Sequence, residues 1–338
     1  MAAQASAATA ASASTVSPAE LWRDITQVYD RAMASGACSK TDTQVEVLHD
    51  PSLAVDFVLR VAAALKAKPT GLPAGGDRGS APSASAPPPP WRNPFSPPEP
   101  ALTVRPLGPG HVAVLNKFNV VPHHVLVLTN AFRSQAEPLD GGDLAAALEV
   151  VKSMPEGGVA FYNCGPESGR SQPHKHLQVV PLPFAEGQPP AAPLEPLVAV
   201  AAAGAAPLQP LELRALPYRC YVAMLPDSPS PDQLQAACSA LLQRAFPGYT
   251  YTPHPALAAG PPTDAATAAA VAAGPVSYNV LMTRRWLLLA PRRQERCGPL
   301  ALNSLAFAGT VLVRSEEELG FVRETGPANI LAQIGVPW

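Results

Sequence analysis

The segment ESGRSQPHKHLQVVPLP, residues 167–183, places two histidines and a glutamine two residues apart, as His174, His176 and Gln178. Successive side chains of a β-strand point to opposite faces, so these three would share one face and Lys175 would lie on the other. A neutral imidazole can attack phosphorus, and a neighbouring amide can hold a phosphate oxygen while negative charge builds. The pattern therefore favours phosphoryl or nucleotidyl transfer.

The loop before the histidines, CGPESGRSQP, suits the same chemistry. Gly165, Gly169 and Ser171 allow backbone N–H groups to converge on an anion. Arg170 and Lys175 add positive charge nearby. A phosphate-binding loop is therefore expected next to the histidine pair.

Two other interpretations of the histidine pair stay open at this point. Histidines two residues apart on a strand can simply pack in the structure, or they can bind a metal, since imidazole suits zinc. The sequence fixes no third ligand by its spacing, and the available histidines are His111, His123, His124 and His254. The polar loop and Gln178 favour a phosphate site over a metal site.

Composition limits the class of protein. The chain has 338 residues, of which 47% are hydrophobic and 15% charged, with a net charge of −2. Neutralising nucleic-acid phosphates needs a basic excess, so a nucleic-acid partner is not expected. There is no apolar run of about 18 residues, so no membrane partner is expected. Five scattered cysteines without a CxxC pair favour a reducing compartment. A cytoplasmic location is expected, although the Ala/Ser-rich N-terminus leaves organelle targeting open.

The order of elements predicts an α+β fold with an antiparallel sheet and helices. Residues 1–16 are expected to form a disordered tail, and Ser17, Pro18 and Glu20 give the signature of a helix start. Alternating apolar segments around one helical segment give a β-β-α-β-loop-β order. The second half of residues 17–335 loosely repeats this order, which suggests one catalytic domain of two similar halves. Residues 69–91 are rich in Pro, Gly and Ser and are interpreted as a low-complexity insertion.

The segment YNCGPESGRSQPHKHLQVVP closely resembles the active-site segment of diadenosine tetraphosphate phosphorylases, also called ATP adenylyltransferases. These belong to the histidine-triad superfamily, in the branch whose motif reads H-x-H-x-Q. NPF and PPEP, LNKFNVVPHHVLVLTNAFRSQ, SYNVLMTRRWLLLAPR and NSLAFAGTVLVRSEEEL match further family segments in order, over about residues 17–335. The resemblance implies a histidine-triad-like antiparallel sheet, a nucleotidyltransferase activity and small-molecule substrates, namely a dinucleoside polyphosphate, phosphate, ATP and ADP.

The resemblance also implies catalytic roles. His176 would attack the α-phosphorus of diadenosine tetraphosphate and release ATP, and phosphate would then take the AMP group to give ADP. His174 would orient His176 or a phosphate, and Gln178 would contact the α-phosphate. Because Gln178 is neutral, it would not activate water, which fits transfer to phosphate.

Further nucleotide or phosphate contacts follow from the same resemblance. They are Asn116, Lys117, Asn163, Ser168, Gly169, Arg170, Ser171, Gln172, Asn279, Met282, Thr283 and, more weakly supported, Lys68. The chain departs from the family at Arg170 and Cys164, where the family usually has a small residue and a serine. A divalent cation, Mg²⁺, is expected to arrive with the substrate rather than in a tight protein site. A monomer is favoured.

Two alternatives to this function remain. A hexose-1-phosphate uridylyltransferase shares the nucleotidyl-histidine chemistry, but its motif normally reads H-P-H where this chain has Lys175 between the histidines. A non-catalytic nucleotide-binding protein would have no need of the nucleophile His176.

Overall fold

The computed structural model describes residues 17–61 and 91–338. Within these ranges the α-helices are α1 (Pro18–Ser35), α2 (Gly141–Ser153), α3 (Glu195–Ala201), α4 (Pro231–Ala245), α5 (Ala265–Ala273), α6 (Glu316–Thr325) and α7 (Pro327–Ile334). The strands are β1 (Ser39–Lys40), β2 (Gln44–Asp50), β3 (Val55–Val61), β4 (Thr103–Leu107), β5 (His111–Leu115), β6 (Phe118–Asn119), β7 (Val125–Thr129), β8 (Gly158–Cys164), β9 (His176–Pro181), β10 (Leu211–Glu212), β11 (Tyr221–Met224), β12 (Tyr278–Met282), β13 (Trp286–Pro291), β14 (Arg296–Cys297), β15 (Leu300–Ala301) and β16 (Thr310–Val313).

A nine-stranded antiparallel sheet organises the chain, in the order β10-β11-β13-β12-β8-β9-β7-β5-β4. Strands of the first half occupy one side of it and strands of the second half the other, and they meet where β8 pairs with β12. A smaller sheet, β16-β3-β2, joins an early part of the chain to a late part. The predicted mixture of helices with an antiparallel sheet is confirmed.

Apolar side chains bury both faces of the large sheet. In β8, Ala160 and Tyr162 belong to one hydrophobic core, while Val159 and Phe161 belong to another on the opposite face. This alternation follows from the two-residue period of a strand. Helices α1, α2 and α4 pack on the first face, and their buried side chains join its core. The sheet therefore forms a middle layer between two hydrophobic cores.

The predicted helix start is confirmed at α1, and α4 begins with the same motif. The Ser17 and Ser230 side chains accept hydrogen bonds from the N–H groups three residues on, and Glu20 and Gln233 complete the capping boxes. These reciprocal bonds satisfy donors that the first helical turn leaves without partners. The same short sequence signature thus marks a helix start in each half of the chain.

Two predicted regions lie largely outside the described residues. The tail, residues 1–16, is one, and the low-complexity insertion is the other, of which only Trp91 belongs to the described part. Among the helices of residues 17–61 and 91–338, none is long and apolar enough to cross a membrane.

Candidate active site

His176 begins strand β9, and its ring is fixed by the main chain. Its Nδ1 lies 2.8 Å from the carbonyl oxygen of His174. A carbonyl oxygen only accepts hydrogen bonds, so Nδ1 carries the proton and Nε2 holds the lone pair. The buried Gln135 side chain accepts from the His176 N–H at 2.8 Å and donates to the His176 carbonyl at 3.2 Å. These hydrogen bonds fix the first residue of strand β9, and with it the His176 ring.

His174 lies just before the strand rather than in it. Strand β9 starts at His176, so the predicted strand is wrong in its first two residues. The reason is that the partner strand β7 ends at Thr129, and His174 instead forms an isolated bridge with Ser134. The rings of His174 and His176 still share one face, since Phe95 lies 5.9 and 5.2 Å from them.

The His174 ring is fully buried, and its hydrogen bonds are those of a neutral imidazole, with one nitrogen donating and the other accepting. Its Nε2 lies 2.9 Å from the Thr129 carbonyl, so this nitrogen donates, and its Nδ1 accepts from the Asn93 amide at 2.8 Å. Burial lowers the pKa of His174. The group of residue 174 that orients His176 is therefore its backbone carbonyl and not its imidazole.

A cavity of about 280 Å³ opens over His176 and Gln178. Its apolar walls suit a base or sugar, and its polar groups suit phosphates, which is the usual mixture in a nucleotide site. The lining residues are Pro94, Phe95, Pro98, Glu99, Leu102, Val114, Leu115, Asn116, Lys117, Phe118, Leu126, Ser171, Gln172, His176 and Gln178. Six of the predicted site residues therefore meet here, namely Asn116, Lys117, Ser171, Gln172, His176 and Gln178.

Lys117 lines this cavity and forms an ion pair with Glu99. Its Nζ lies 2.8 Å from Glu99 Oε2, with 48% of the lysine and 42% of the glutamate side chain exposed. The neighbouring Asn116 amide donates to the Phe118 carbonyl at 2.9 Å. A polyphosphate would have to draw Lys117 away from Glu99, a residue that the sequence pattern did not single out.

Asn163, Ser168 and Asn279 do not line the cavity and lie in a buried polar network. Asn163 Oδ1 accepts from the Asn279 amide at 2.9 Å and from the Ser304 hydroxyl at 2.6 Å. The Asn279 amide also donates to the Ser168 carbonyl at 3.0 Å, and Asn279 Oδ1 accepts from Arg292 at 2.7 Å. Burial lowers the pKa of Arg292 to about 10. These residues fix the loop that precedes the histidines, and their direct contact with a nucleotide stays a prediction.

Gly169 and Arg170 continue this loop. Gly169 has φ +79°, and a Cβ atom there would lie 2.4 Å from the Leu302 carbonyl oxygen, so only glycine fits. Gly169 lines a separate small cavity of about 90 Å³. The Arg170 Nε is buried with no partner among the residues that the structure describes, and burial lowers its pKa.

Met282 and Thr283 are not brought to the cavity. Asn279 pairs with Asn163 beside the site, and Met282 lies three residues further along β12, about 10 Å away. The Thr283 hydroxyl accepts from the backbone N–H groups of the following turn and lines a different cavity. Lys68 lies outside the described residues. Within the described ranges, no group of three or more His, Cys, Asp or Glu could hold a metal ion.

Lys175, between the two histidines, points to the other side of the sheet. Its Nζ lies 2.5 Å from Asp143 Oδ2, and both side chains are fully buried. Burial alone would raise the pKa of Asp143, but the hydrogen bond from His111 and the charge of Lys175 hold that pKa well below its usual range. The expectation that Lys175 adds positive charge to the anion loop is therefore wrong, because Asp143 neutralises it.

Family models, curated proteins and solved structures match this chain. Residues 11–200 match the Ap4A phosphorylase N-terminal domain, and residues 214–337 match the ATP adenylyltransferase C-terminal domain. The chain is 29% identical to diadenosine 5',5'''-P1,P4-tetraphosphate phosphorylase 2 of Saccharomyces cerevisiae over 320 residues, or 87% of this chain and 88% of the relative. It is 25% identical to Protein APA1 of the same yeast, with 95% of each chain covered. The crystal structure of yeast Ap4A phosphorylase Apa2 in complex with Ap4A has a TM-score of 0.71 and 26% identity, covering 94% of this chain and 98% of that one.

Proposed function

This chain belongs to the Ap4A phosphorylase family, and we propose that it cleaves diadenosine tetraphosphate (Ap4A) with inorganic phosphate to give ATP and ADP. One observation carries the proposal. The bond from His176 Nδ1–H to the His174 carbonyl places the lone pair of the imidazole on Nε2, in a ring that lines the cavity of about 280 Å³. A ring fixed in this tautomer is ready to attack phosphorus without first losing a proton.

The reaction follows in two steps. His176 Nε2 forms a bond to the α-phosphorus while the bond from that phosphorus to the bridging oxygen breaks, and ATP leaves with the electron pair. A phosphate oxygen then attacks the same phosphorus, the N–P bond breaks, and ADP leaves. The His176 ring carries a positive charge while it is bonded at both nitrogens, and the His174 carbonyl stabilises this charge through Nδ1–H.

Gln178 favours phosphate over water as the acceptor. It lines the cavity two residues beyond His176 on the same strand face, where its amide can hold an α-phosphate oxygen. An amide has no basic group at neutral pH and cannot remove a proton from water. A phosphate anion is already a nucleophile and does not need that step.

The remaining polar lining binds the charged substrate. Lys117, Asn116, Ser171 and Gln172 surround the position of the phosphates, and the apolar wall that includes Phe95 holds the adenosine. We propose that Mg²⁺ arrives with the polyphosphate and neutralises part of its charge. We also propose that each half of the chain is histidine-triad-like within one catalytic domain spanning residues 17–335, and that the protein is a cytoplasmic monomer.

Product analysis tests this function. The purified full chain is incubated with Ap4A and Mg²⁺, with and without phosphate, and the nucleotides are separated. We expect turnover to equal amounts of ATP and ADP only when phosphate is present; without it, no more than one ATP per protein molecule should form. His176→Ala should remove this activity, whereas His49→Ala, which alters a histidine that is 60% exposed, should leave it unchanged.

Other product patterns would contradict the proposal. Two ADP, or ATP and AMP in the absence of phosphate, would show a hydrolase. Uridylyl transfer from a UDP-sugar, without any cleavage of Ap4A, would show the hexose-1-phosphate uridylyltransferase. Tight nucleotide binding without turnover of either substrate would show a binding protein.

A further inference from the structure

A second cavity, of about 90 Å³, lies beside the catalytic one and shares Asn116 and Gln178 with it. Strand β9 places His176, Gln178 and Val180 on one face in steps of about 7 Å. His176 lines the first cavity, Val180 lines the second, and Gln178 lines both. The two cavities therefore follow one another along the strand that carries the nucleophile.

Arg60 of strand β3 supplies the charge of this second cavity. Apart from the titratable His124, it is the one ionisable side chain in the described lining, and no carboxylate of residues 17–61 and 91–338 lines the cavity. Its guanidinium donates to the Phe184 carbonyl, and one Nη lies 3.4 Å from the Thr43 hydroxyl. Its Nε is buried without a partner in the described part of the chain.

Arg60 is partly buried, and an anion in the cavity would compensate the buried part of its charge. Taking a charge out of water is unfavourable when no opposite charge accompanies it, and a carbonyl and a hydroxyl compensate only in part. Arg60 forms no ion pair with any described carboxylate. Burial lowers the pKa of its guanidinium, as expected for a partly buried cation without a neighbouring carboxylate. A planar guanidinium at a cavity wall matches the oxygens of a phosphate group well.

We propose that this second cavity binds the phosphates beyond the α-phosphate of the substrate, those that leave as part of ATP, with Arg60 as their anchor. The inference rests on the proposed function, which places the α-phosphorus beside His176. The polyphosphate then runs past Gln178, which both cavities share, towards Arg60. Arg60 therefore selects substrates by the length of their phosphate chain.

The proposal separates two reactions of the same nucleophile. Ap4A presents three phosphates beyond the transferred one, and these reach the second cavity. ADP presents a single phosphate, which stays beside Gln178. Transfer of AMP from ADP to His176, with release of phosphate, is the reverse of the second step above and does not need Arg60.

The experiment compares Arg60→Met and Arg60→Lys with Arg323→Met, a control at an arginine that is 51% exposed. The KM for Ap4A and the exchange of labelled phosphate into ADP are measured for each protein. Arg60→Met should raise the KM for Ap4A about ten- to a hundredfold, the effect of losing a charge-assisted contact. Its phosphate exchange into ADP should stay close to wild type. Arg60→Lys should recover part of the affinity, because it keeps the charge but not the planar fork.

Two outcomes would overturn the proposal. An unchanged KM for Ap4A in Arg60→Met would show that no phosphate reaches the residue. An equal loss in Ap4A cleavage and in exchange would show that Arg60 supports the fold or the transferred nucleotide. Melting temperatures identify a misfolded Arg60→Met, in which case Arg60→Lys decides by the same comparison.

Calorimetry with inorganic tripolyphosphate separates this proposal from the proposed function. Wild-type protein should bind tripolyphosphate about tenfold or more tightly than Arg60→Met does. If Ap4A is not cleaved but this difference is found, the subsite stands and the function fails. If Ap4A is cleaved and the two proteins bind tripolyphosphate equally, the subsite fails alone.

Discussion

Replacing Lys175 by methionine should destabilise the protein without touching the substrate. The lysine lies between the two motif histidines, yet its Nζ forms a fully buried ion pair with Asp143 at 2.5 Å and donates to the Pro138 carbonyl at 2.7 Å. Asp143 belongs to the first turn of α2, so the pair ties that helix to the strand that carries His176. Methionine fills similar space but leaves Asp143 without its nearest cation.

The magnitude follows from what remains around Asp143. Removing one partner of a buried ion pair typically costs about 3–5 kcal/mol, because the other charge is left uncompensated. His111 Nε2 at 2.8 Å and Arg133 at 3.3 Å still face the carboxylate, so the loss should fall at the lower end, about 3 kcal/mol. The kcat should also fall, since the start of β9 loses an anchor, while the KM for Ap4A changes little.

Urea unfolding followed by tryptophan fluorescence measures this free energy. Lys40→Met, at an exposed lysine, is the control and should stay within about 0.5 kcal/mol of wild type. The double variant Lys175→Met/Asp143→Asn should recover part of the loss, because it removes the buried charge as well as its partner. A Lys175→Met protein within about 1 kcal/mol of wild type would refute the assigned role of the pair.

Three further predictions follow from the site. His174→Ala should retain more kcat than His176→Ala, because alanine keeps the carbonyl that holds His176 Nδ1; equal loss would contradict this. Lys117→Ala should raise the KM for Ap4A about ten- to a hundredfold, whereas Glu99→Gln, which frees the lysine, should lower it; steady-state kinetics at two salt concentrations measures both. Because burial lowers the pKa of His174, the unfolded chain binds a proton that the folded one does not as pH falls below about 6.5. Stability should therefore fall in that window, by up to about 1.4 kcal/mol per pH unit, and level off below the folded pKa; urea midpoints against pH should show a smaller slope in His174→Gln.

The sequence was informative wherever a local rule governs the structure. The capping residue Ser17 predicted the start of its helix correctly, because the interaction that it makes spans only three residues. The apolar alternation predicted the central strands, since burial on a pleated sheet repeats every two residues. The spacing of His176 and Gln178 placed both in one cavity for the same reason.

The contacts that the sequence did not reveal join residues that are far apart in the chain. Asn93 meets His174 across 81 positions, and Gln135 holds His176 across 41. Asp143 could be recognised as a capping residue, but its pairing with Lys175 depends on how α2 packs on the sheet. Arg60 belongs to no sequence motif, and only the fold shows that it lines the same cavity as Gln178. No periodic pattern encodes such contacts.

The covalent step on His176 is the central claim, and intact-protein mass spectrometry tests it most directly. The full chain is mixed with Ap4A and Mg²⁺ in phosphate-free buffer, quenched without acid to preserve the N–P bond, and then weighed and mapped by peptide. We expect one added adenylyl group on the peptide that contains His176, its absence in His176→Ala, and its loss as ADP when phosphate is added. An unmodified protein that still forms ATP and ADP once phosphate is present, or an adenylyl group mapped to another residue, would contradict it.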